Sequence, residues 1–503
     1  MDLGTNAIRF LAVEFQDQET FRVVAEERFP IRFGHGVFTD GRIDPGAAAA
    51  AADGLAQVSL RMNDLAITRY RAVATSAVRE STNRREFLRR IRDRVGMRLE
   101  VISGSEEIRL VHAAVRRRVP LGADPWVLAE LGGGSVEIAL ADAERVRWSE
   151  THAMGAVRLL ELFAHAGRES EGFARLVQEY VATIRIPDKL RGGKVKGLIG
   201  TGGNIDALAR LRAGAVGTGG QGPLRISRLE LRAAIAELSG LPVEERMRRF
   251  GLRPDRADVI VPAAIVYERL AELVGAEEIL VPGGGVREGI VFDLMERLTH
   301  RQDSREKQAV EDAVQLGRKF LFDEVHARHV AALAVSLFDQ LSDLHALGAR
   351  ERRFLATAAI LHDVGGFVSY KGHHKHSQYL ISRSELPGFT PKDMVIIGTV
   401  ARYHRKGAPS SLHPEFALLS PGERDRVRRL SALLRIADAL DKEHRQKITR
   451  IRVGVEDGQV RIRAVDADEV LLEQWALKKK DEVFREVFGM SVTLTTGKEA
   501  QDG

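Results

Sequence analysis

Four times in this sequence an apolar, strand-like run ends in a tight glycine turn carrying small or hydroxyl residues. The turns are Asp2-Leu3-Gly4-Thr5-Asn6, Glu130-Leu131-Gly132-Gly133-Gly134-Ser135, Gly200-Thr201-Gly202-Gly203-Asn204 and Pro282-Gly283-Gly284-Gly285. Glycine lets backbone N–H groups close around an anion, because no Cβ blocks the approach and positive φ is accessible. Any one such turn is compatible with a plain hairpin. Two of them, however, carry an acid at the strand end, Asp2 and Glu130, suited to a magnesium ion that bridges to phosphate through water. These two turns look like copies of one plan, which favours a phosphate-binding role over four unrelated hairpins.

The surrounding pattern agrees. Up to about residue 298, strand-like runs alternate with amphipathic helical stretches, as in α/β layers. The predicted strands are Ile8–Phe15, Phe21–Glu27, Tyr70–Thr75, Leu99–Ile102, Trp126–Leu131, Val136–Leu140, Lys196–Ile199 and Glu278–Val281. The polar stretch Thr299–Lys307 reads as a linker. From about Gln308 to Gln446 the period becomes 3.6 residues, which predicts a helix bundle. Strand-like alternation returns in ITRIRVGVEDG and QVRIRAV, followed by a helix from about Asp468 and a strand near Ser491–Thr495. This predicts a small ferredoxin-like β-α-β cap. A length of 503 residues accommodates three or four domains at about 150 residues each.

Composition narrows the chemistry. With 0 Cys, disulfides, thiolate metal sites, iron–sulfur clusters and thiol nucleophiles are excluded. Hydrolytic chemistry must then use carboxylates, His, Ser/Thr or an oxygen-ligated metal. No window approaches the roughly 20 consecutive apolar residues of a membrane helix, and MDLGTNAIRFLAVEF lacks the parts of a signal peptide, so a cytoplasmic protein is expected. Lys+Arg 76 against Asp+Glu 70, a net +6, points to an anionic partner.

The turns DLGTN and ELGGGSVEIAL, together with ATSAVRESTN, ISGSEEIRLVHAAV, GTGGNIDALARL and VPGGGVREGI in this order, resemble the exopolyphosphatase/guanosine pentaphosphate phosphohydrolase (Ppx/GppA) family. HARHVAALAVSLFDQL, AAILHDVGGFVSYKGHHKHSQYLI, ARYHRK and LLRIADALDKEHRQ resemble the helical HD-type domain of its long members. The resemblance implies two actin-like (ribonuclease H-like) α/β domains, 1–122 and 123–298, an all-α HD-type domain, 308–446, and a small α+β C-terminal domain, 447–503. It implies magnesium-dependent hydrolysis of the terminal phosphoanhydride of inorganic polyphosphate, or alternatively of the 5′ γ-phosphate of guanosine pentaphosphate. A catalytically weak polyphosphate- or alarmone-binding regulator is the alternative of another class. A homodimer is expected from the resemblance; nucleic acid and membrane partners are not.

In SGSEE, Ser103 and Glu106 have capping-box spacing, so Glu106 is expected to serve the helix start and Glu107 to face elsewhere. Glu107 matches the general base proposed for the family, and Arg79 a family arginine that neutralises phosphate charge. Asp2, Glu130 and Glu137 would hold magnesium, with Glu130 and Glu137 counted among the catalytic residues. Gly4, Thr5, Asn6, Gly132, Gly133, Gly134, Ser135, Thr201, Gly202 and Gly203 would supply donors to phosphate. Three departures stand out. Glu130 replaces the usual Asp, Asn204 replaces the usual Thr, and the strand before the first turn is short, which predicts a frayed Asp2.

In the second half, His326, the pair His362-Asp363, and Asp438 follow the H…HD…D order of HD phosphohydrolases, which bind a divalent metal between helices. His329, His373, His374, His376 and His404 are further candidates. Lys371, His373, Arg402, His404, Arg405, Lys406, Arg435, Arg445 and Lys447 match segments that line a polyanion path in the long members. Interleaved aromatics are few, which disfavours base stacking along single-stranded nucleic acid.

Overall fold

The computed structural model describes residues 1–16, 20–164, 171–191, 195–212, 222–298, 302–467 and 469–497. The chain divides into two compact units, Met1–Arg301 and Gln302–Gly503.

The first unit holds two sheets of matching plan. One has β1 (Asp2–Leu3), β2 (Ile8–Phe15), β3 (Phe21–Phe29), β4 (Val73–Ala74) and β5 (Glu100–Val101) in the order β3-β2-β1-β4-β5. The other has β6 (Trp126–Leu131), β7 (Val136–Ala141), β8 (Val146–His152), β9 (Leu198–Thr201), β10 (Leu224–Ser227) and β11 (Glu278–Val281) in the order β10-β11-β9-β6-β7-β8. Apart from the extra edge strand β10, the second order repeats the first. In both, the first strand turns back on the next through a glycine loop and pairs in parallel on its other side. These are two α/β halves of one plan.

Predicted and observed strands differ where local pattern misjudges length. Tyr70–Thr75 and Leu99–Ile102 contract to β4 and β5, because only two residues of each meet a neighbouring strand. Lys196–Ile199 shifts to Leu198–Thr201. The strands β8 and β10 were not anticipated; β8 is a half-exposed edge strand without a continuous apolar run. Asp2 is not frayed: it is buried and pairs with Arg9 on one side and Val73 on the other.

A buried ion network ties elements of the two halves together. Arg71, just before β4, reaches Glu100 at 3.0 Å, Glu106 at 2.9 Å and Asp293 at 2.9 Å. Arg109 reaches Glu106 at 2.6 Å and Asp293 at 2.8 Å. Glu106 and Arg109 lie on the helix Gly104–Val115 and Asp293 on the helix Val286–Leu298. Those helices cross at Gly289, where a Cβ would lie 2.0 Å from the Leu110 carbonyl oxygen.

The second unit is a helix bundle with a small sheet. Its main helices are Gln302–Lys319, Glu324–Gln340, Ala349–Leu361, His373–Arg383, Pro391–Arg402 and Pro421–Ala439. The predicted linker is therefore corrected over 302–307, which opens the first helix; 299–301 lie outside the described residues. The C-terminal sheet comprises β12 (Ile451–Glu456), β13 (Gln459–Ala464) and β14 (Ser491–Thr496) in that order, with β12 antiparallel and β14 parallel to β13. Two helices, Leu471–Lys480 and Glu482–Phe488, make the parallel crossover, so the cap is β-β-α-α-β rather than β-α-β. The predicted start at Asp468 lies outside the described residues. Among the described residues, no helix is long and apolar enough to cross a membrane.

Candidate active site

Three of the four glycine turns open onto one cleft in the first unit, lined among others by Asp2, Gly4, Thr5, Asn6, Glu107, Glu130, Gly132, Gly133, Gly202 and Gly203. The fourth turn stands beside it: a Cβ on Gly285 would lie 3.6 Å from Glu130 Oε1. A Cβ on Gly202, whose φ is +105°, would lie 3.3 Å from the same oxygen. Only glycine therefore leaves the space around the Glu130 carboxylate open on both sides.

The turns are held from behind. In the first, the Gly4 amide donates to the Ala7 carbonyl at 3.1 Å, while Thr5 Oγ1 lies 3.0 Å from Ser76 Oγ. In the second, the first turn of the helix Ala156–Leu162 donates its free N–H groups to the loop: Ala156 to Gly132 O at 3.1 Å and Val157 to Gly133 O at 2.9 Å. Those bonds fix the carbonyls; the Gly132 amide donates within the loop to Ser135 O at 3.0 Å, which leaves the Gly133 amide for another acceptor. Gly134, Ser135 and Thr201 lie behind the cleft wall rather than on it. Ser135 Oγ donates to Glu137 Oε1 at 2.6 Å, and Thr201 Oγ1 donates to Glu130 Oε2. Asn6 donates to the Asp255 carbonyl at 2.7 Å, which stiffens its turn.

Glu107 sits in the first turn of its helix, buried and lining the cleft. Arg79 Nη1 stands 3.4 Å from Glu107 Oε2 and donates to the Ile102 carbonyl at 3.0 Å; its Nη2 is 3.9 Å from Glu137 Oε1. The expected capping box forms by half. Ser103 Oγ accepts from the Glu106 amide at 3.2 Å, but the Glu106 carboxylate is committed to Arg71 and Arg109. These partners, Arg109 first, pull its pKa down to about 2 despite burial.

The electrostatics of the acids bear on metal binding. Glu130 and Glu137 face each other across β6 and β7. Burial, opposed in part by the Thr201 hydrogen bond, pushes Glu130 up to about 8. Burial and the Glu107 charge push Glu137 up, and burial raises Asp2. Glu137 Oε2 is buried without a hydrogen-bond partner. Carboxylates so placed want a cation, and an all-oxygen set suits Mg²⁺.

Sequence reasoning missed three arginines of the cleft wall: Arg9, Arg28 and Arg256. Arg9 lies 3.6 Å from Asp2, Arg28 is paired with Asp255, and Arg256 donates to Asn204 Oδ1. Burial and the neighbouring Arg9 lower Arg256 to about 10. A signal for Arg9 existed, since it faces Asp2 across its hairpin as Glu137 faces Glu130. Tyr267, which donates to the Thr201 carbonyl and accepts from the Leu131 amide at 3.2 Å, is hidden in an apolar helix and gave none.

In the second unit, His326, His362, Asp363 and Asp438 come together. His326 Nε2 and His362 Nε2 each lie 3.7 Å from Asp438 Oδ1, and His362 Nε2 lies 3.6 Å from Asp363 Oδ2. The predicted polyanion path is corrected at four positions. His373 and His404 are buried against Asp363. Arg435 is buried and donates to the Tyr403 and Lys406 carbonyls at 3.2 and 2.8 Å. Arg402 is largely covered and donates to Gln378 Oε1 at 2.6 Å. Buried or engaged in this way, these side chains are withdrawn from the surface that a polymer would follow. Lys371, Lys406 and Arg445 are exposed, Arg405 is half-buried, and Lys447 is paired with Glu443 at 2.6 Å. Of the further candidates, His374 is buried but outside this cluster.

Residues 12–298 match the model of the Ppx/GppA phosphatase family, and residues 310–484 match that of the Ppx/GppA phosphatase domain III. Among solved structures, the chain is similar to an exopolyphosphatase from Cytophaga hutchinsonii, at 24% identity and a TM-score of 0.55 over 59% of this chain and 96% of that one. It is also similar to the Aquifex aeolicus Ppx/GppA family member, at 22% identity and a TM-score of 0.50 over 59% of this chain and 97% of that one. At these identities the structural likeness establishes the fold, and the family models establish kinship over most of the chain. The chain belongs to the Ppx/GppA phosphatase family, hydrolases of the phosphoanhydride bonds of polyphosphate and guanosine pentaphosphate that depend on a divalent metal.

Proposed function

We propose that the cleft of the first unit is an exopolyphosphatase site, which removes the terminal phosphate of inorganic polyphosphate as orthophosphate. The observation that carries this reading is the lining itself: glycine turns, hydroxyls and Arg9, Arg28 and Arg256, with no aromatic ring among the described lining residues on which a guanine base could stack. A chain of phosphates needs only donors and positive charge.

In this reading the loop amide of Gly133 and the Thr5 region cradle the terminal phosphoryl group. Glu107 takes a proton from the attacking water while that oxygen bonds to phosphorus, and the bridging P–O bond breaks to leave the shortened chain. Arg79 keeps Glu107 oriented and adds positive charge beside it. Asp2, Glu130 and Glu137 fit Mg²⁺, which when bound neutralises charge on the phosphoryl oxygens. Thr201 and Ser135 hold two of those carboxylates in place. The reading includes a cytoplasmic homodimer and the fourfold division at residues 122, 298 and 446, supported by three separate sheets and a helix bundle.

The test is orthophosphate release, with Mg²⁺, from long-chain polyphosphate and from guanosine pentaphosphate, by the wild type and by Glu107→Gln. Faster release from polyphosphate, falling about 10²–10⁴-fold in the variant, supports the reading. Preference for guanosine pentaphosphate would move the substrate assignment. Equal rates in the variant would remove Glu107 as the base, and no release from either substrate would favour a binding protein.

A further inference from the structure

The cleft of the first unit is built differently at its two ends. At one end the glycine turns of the two halves touch. A Cβ on Gly133 would lie 2.7 Å from Thr5 Cβ and 3.1 Å from Val157 Cγ2, and a Cβ on Gly134 would lie 2.5 Å from both Ser76 Oγ and Phe38 Cζ. Gly34, which opens the helix Gly34–Asp40, donates to the Thr5 carbonyl at 3.1 Å, and a Cβ there would lie 2.8 Å from Val157 Cγ1. Thr5, Ser76 and Phe38 belong to the first half, Gly133, Gly134 and Val157 to the second. Packing this close admits no methyl group, and a space that refuses a methyl group cannot pass a phosphate.

The seam is clamped from behind. Arg158, on the helix Ala156–Leu162, donates from Nε to the Gly134 carbonyl at 2.7 Å and from Nη2 to Glu80 Oε2 at 2.6 Å, and lays its guanidinium 4.0 Å over the Phe38 ring. Glu80 ends the helix Ser76–Glu80 of the first half. One side chain of the second half thus holds its own turn together with an acid and a ring of the first.

At the other end the halves are joined by polar side chains that reach solvent. Asn6 donates to the Asp255 carbonyl at 2.7 Å, and Arg28 pairs with the Asp255 carboxylate. The Arg9 and Arg28 side chains are 36% and 24% exposed, whereas Thr5, Ser76 and Val157 are buried; all five line the cleft. Long polar side chains can turn aside for an anion, while glycine backbone pressed against packed side chains cannot.

We propose that the Gly133–Thr5 seam is a stopper that confines cleavage to chain ends. The inference rests on the polyphosphate reading of the cleft and adds how the chain lies in it. The terminal phosphoryl group, with nothing beyond it, seats against Gly133 and Thr5. The rest of the chain leaves past Arg9 and Arg28, whose guanidinium groups take its charge. An internal phosphate has a neighbour on each side, and one of the two meets Thr5, Val157 and Phe38. Internal bonds are therefore refused by a clash, not by weaker attraction. Phe38 and Arg158, which lie behind the seam, are positioning residues that keep it shut.

Two substrates test this with Mg²⁺: long-chain polyphosphate with free ends, and the same polymer capped at both ends as phosphoramidates of a bulky amine. Chain length is read on gels and orthophosphate is assayed. The wild type is expected to release orthophosphate from the free-ended polymer and to cut the capped one about 10²-fold more slowly or less. Phe38→Ala combined with Val157→Ala is expected to act on the free-ended polymer within about tenfold of the wild type and to cut the capped one at least about tenfold faster than the wild type does, into fragments of intermediate length. A wild type that cuts both polymers at one rate overturns the stopper and leaves the polyphosphate reading standing. So does a variant active on the free-ended polymer and still inert on the capped one. A wild type inert on both overturns the polyphosphate reading and the stopper with it. Where the double variant fails a thermal-melting check, Arg158→Met, which unclamps the seam without emptying it, is judged on the same two polymers by the same outcomes.

Discussion

Arg79 Nη1 lies 3.4 Å from Glu107 Oε2, although the two side chains come from different helices, Ser76–Glu80 and Gly104–Val115. The same guanidinium donates to the Ile102 carbonyl just before the second helix and lies near Glu137. One planar group thus spans the proposed base, its helix start and a proposed metal ligand, a geometry that a fork of donors can meet and a point charge cannot.

Replacing Arg79 tests that. Arg79→Met is expected to lower kcat for orthophosphate release by about 10²–10³-fold, and Arg79→Lys to recover little of it despite keeping the charge. Steady-state kinetics on polyphosphate with saturating Mg²⁺ check both; full activity in the lysine variant would show that charge alone matters.

Thr201 is the side-chain donor to Glu130 Oε2, and its hydrogen bond favours the ionised acid. In Thr201→Val the Glu130 pKa rises further above about 8, so at pH 7 less of the carboxylate is available to a cation. The Mg²⁺ concentration for half-maximal activity should rise about tenfold at pH 7, roughly 1.4 kcal/mol, and the defect should shrink at pH 9. A magnesium titration at the two pH values reads this.

Gly155 caps the helix Ala156–Leu162, and a Cβ there would lie 2.3 Å from the Gly134 backbone. Gly155→Ala must therefore push the Gly132–Ser135 loop. We expect a raised KM for polyphosphate with a stability loss of about 1–3 kcal/mol, measured by kinetics and thermal melting.

Arg71 neutralises Glu106 and Asp293 in a buried site. Arg71→Met removes one of the two arginine partners of Asp293 and Glu106 and should cost about 3–5 kcal/mol. Glu100→Gln, at the half-exposed edge of the network, should cost about 1 kcal/mol or less. Urea unfolding of the two variants distinguishes a core network from a surface one.

His112 is buried on the helix Gly104–Val115, with Nε2 2.6 Å from the Asp142 carbonyl, and burial lowers its pKa to about 4. Unfolded, it takes a proton near pH 6.5, so the stability it contributes is full above that value and declines as pH falls toward about 4. The decline amounts to about 3 kcal/mol. His112→Gln, which keeps a donor, should flatten the acid limb between those pH values in denaturant titrations.

Much of the cleft was legible because its parts are local. The glycine turns, the acids ending their strands and the Ser103 cap are fixed by neighbours a few residues away, and so are the long strands β2, β6 and β7. What local pattern missed depends on distant partners. The two-residue strands β4 and β5 exist only through their neighbours, and Asp2 is ordered by Arg9 and Val73 rather than by the length of its own strand. Glu106 has capping-box spacing, yet Arg71 and Arg109 outbid the backbone for its carboxylate, because charged partners in a buried site bind more strongly than one amide.

Charge runs misled for a related reason. His373, His404 and Arg435 lie in a basic stretch, but helical geometry sends neighbours to different faces; these three face inward, and Arg402 is half-buried against Gln378. By itself the sequence determined the family, the two α/β halves, the helical unit and the residues of the phosphate turns, since recurrence and period need no knowledge of distant contacts. Only the tertiary structure decided that Arg79 meets Glu107, that Thr201 holds Glu130, and that Asp363 stands between two groups of imidazoles, because each relation joins residues brought together by packing alone.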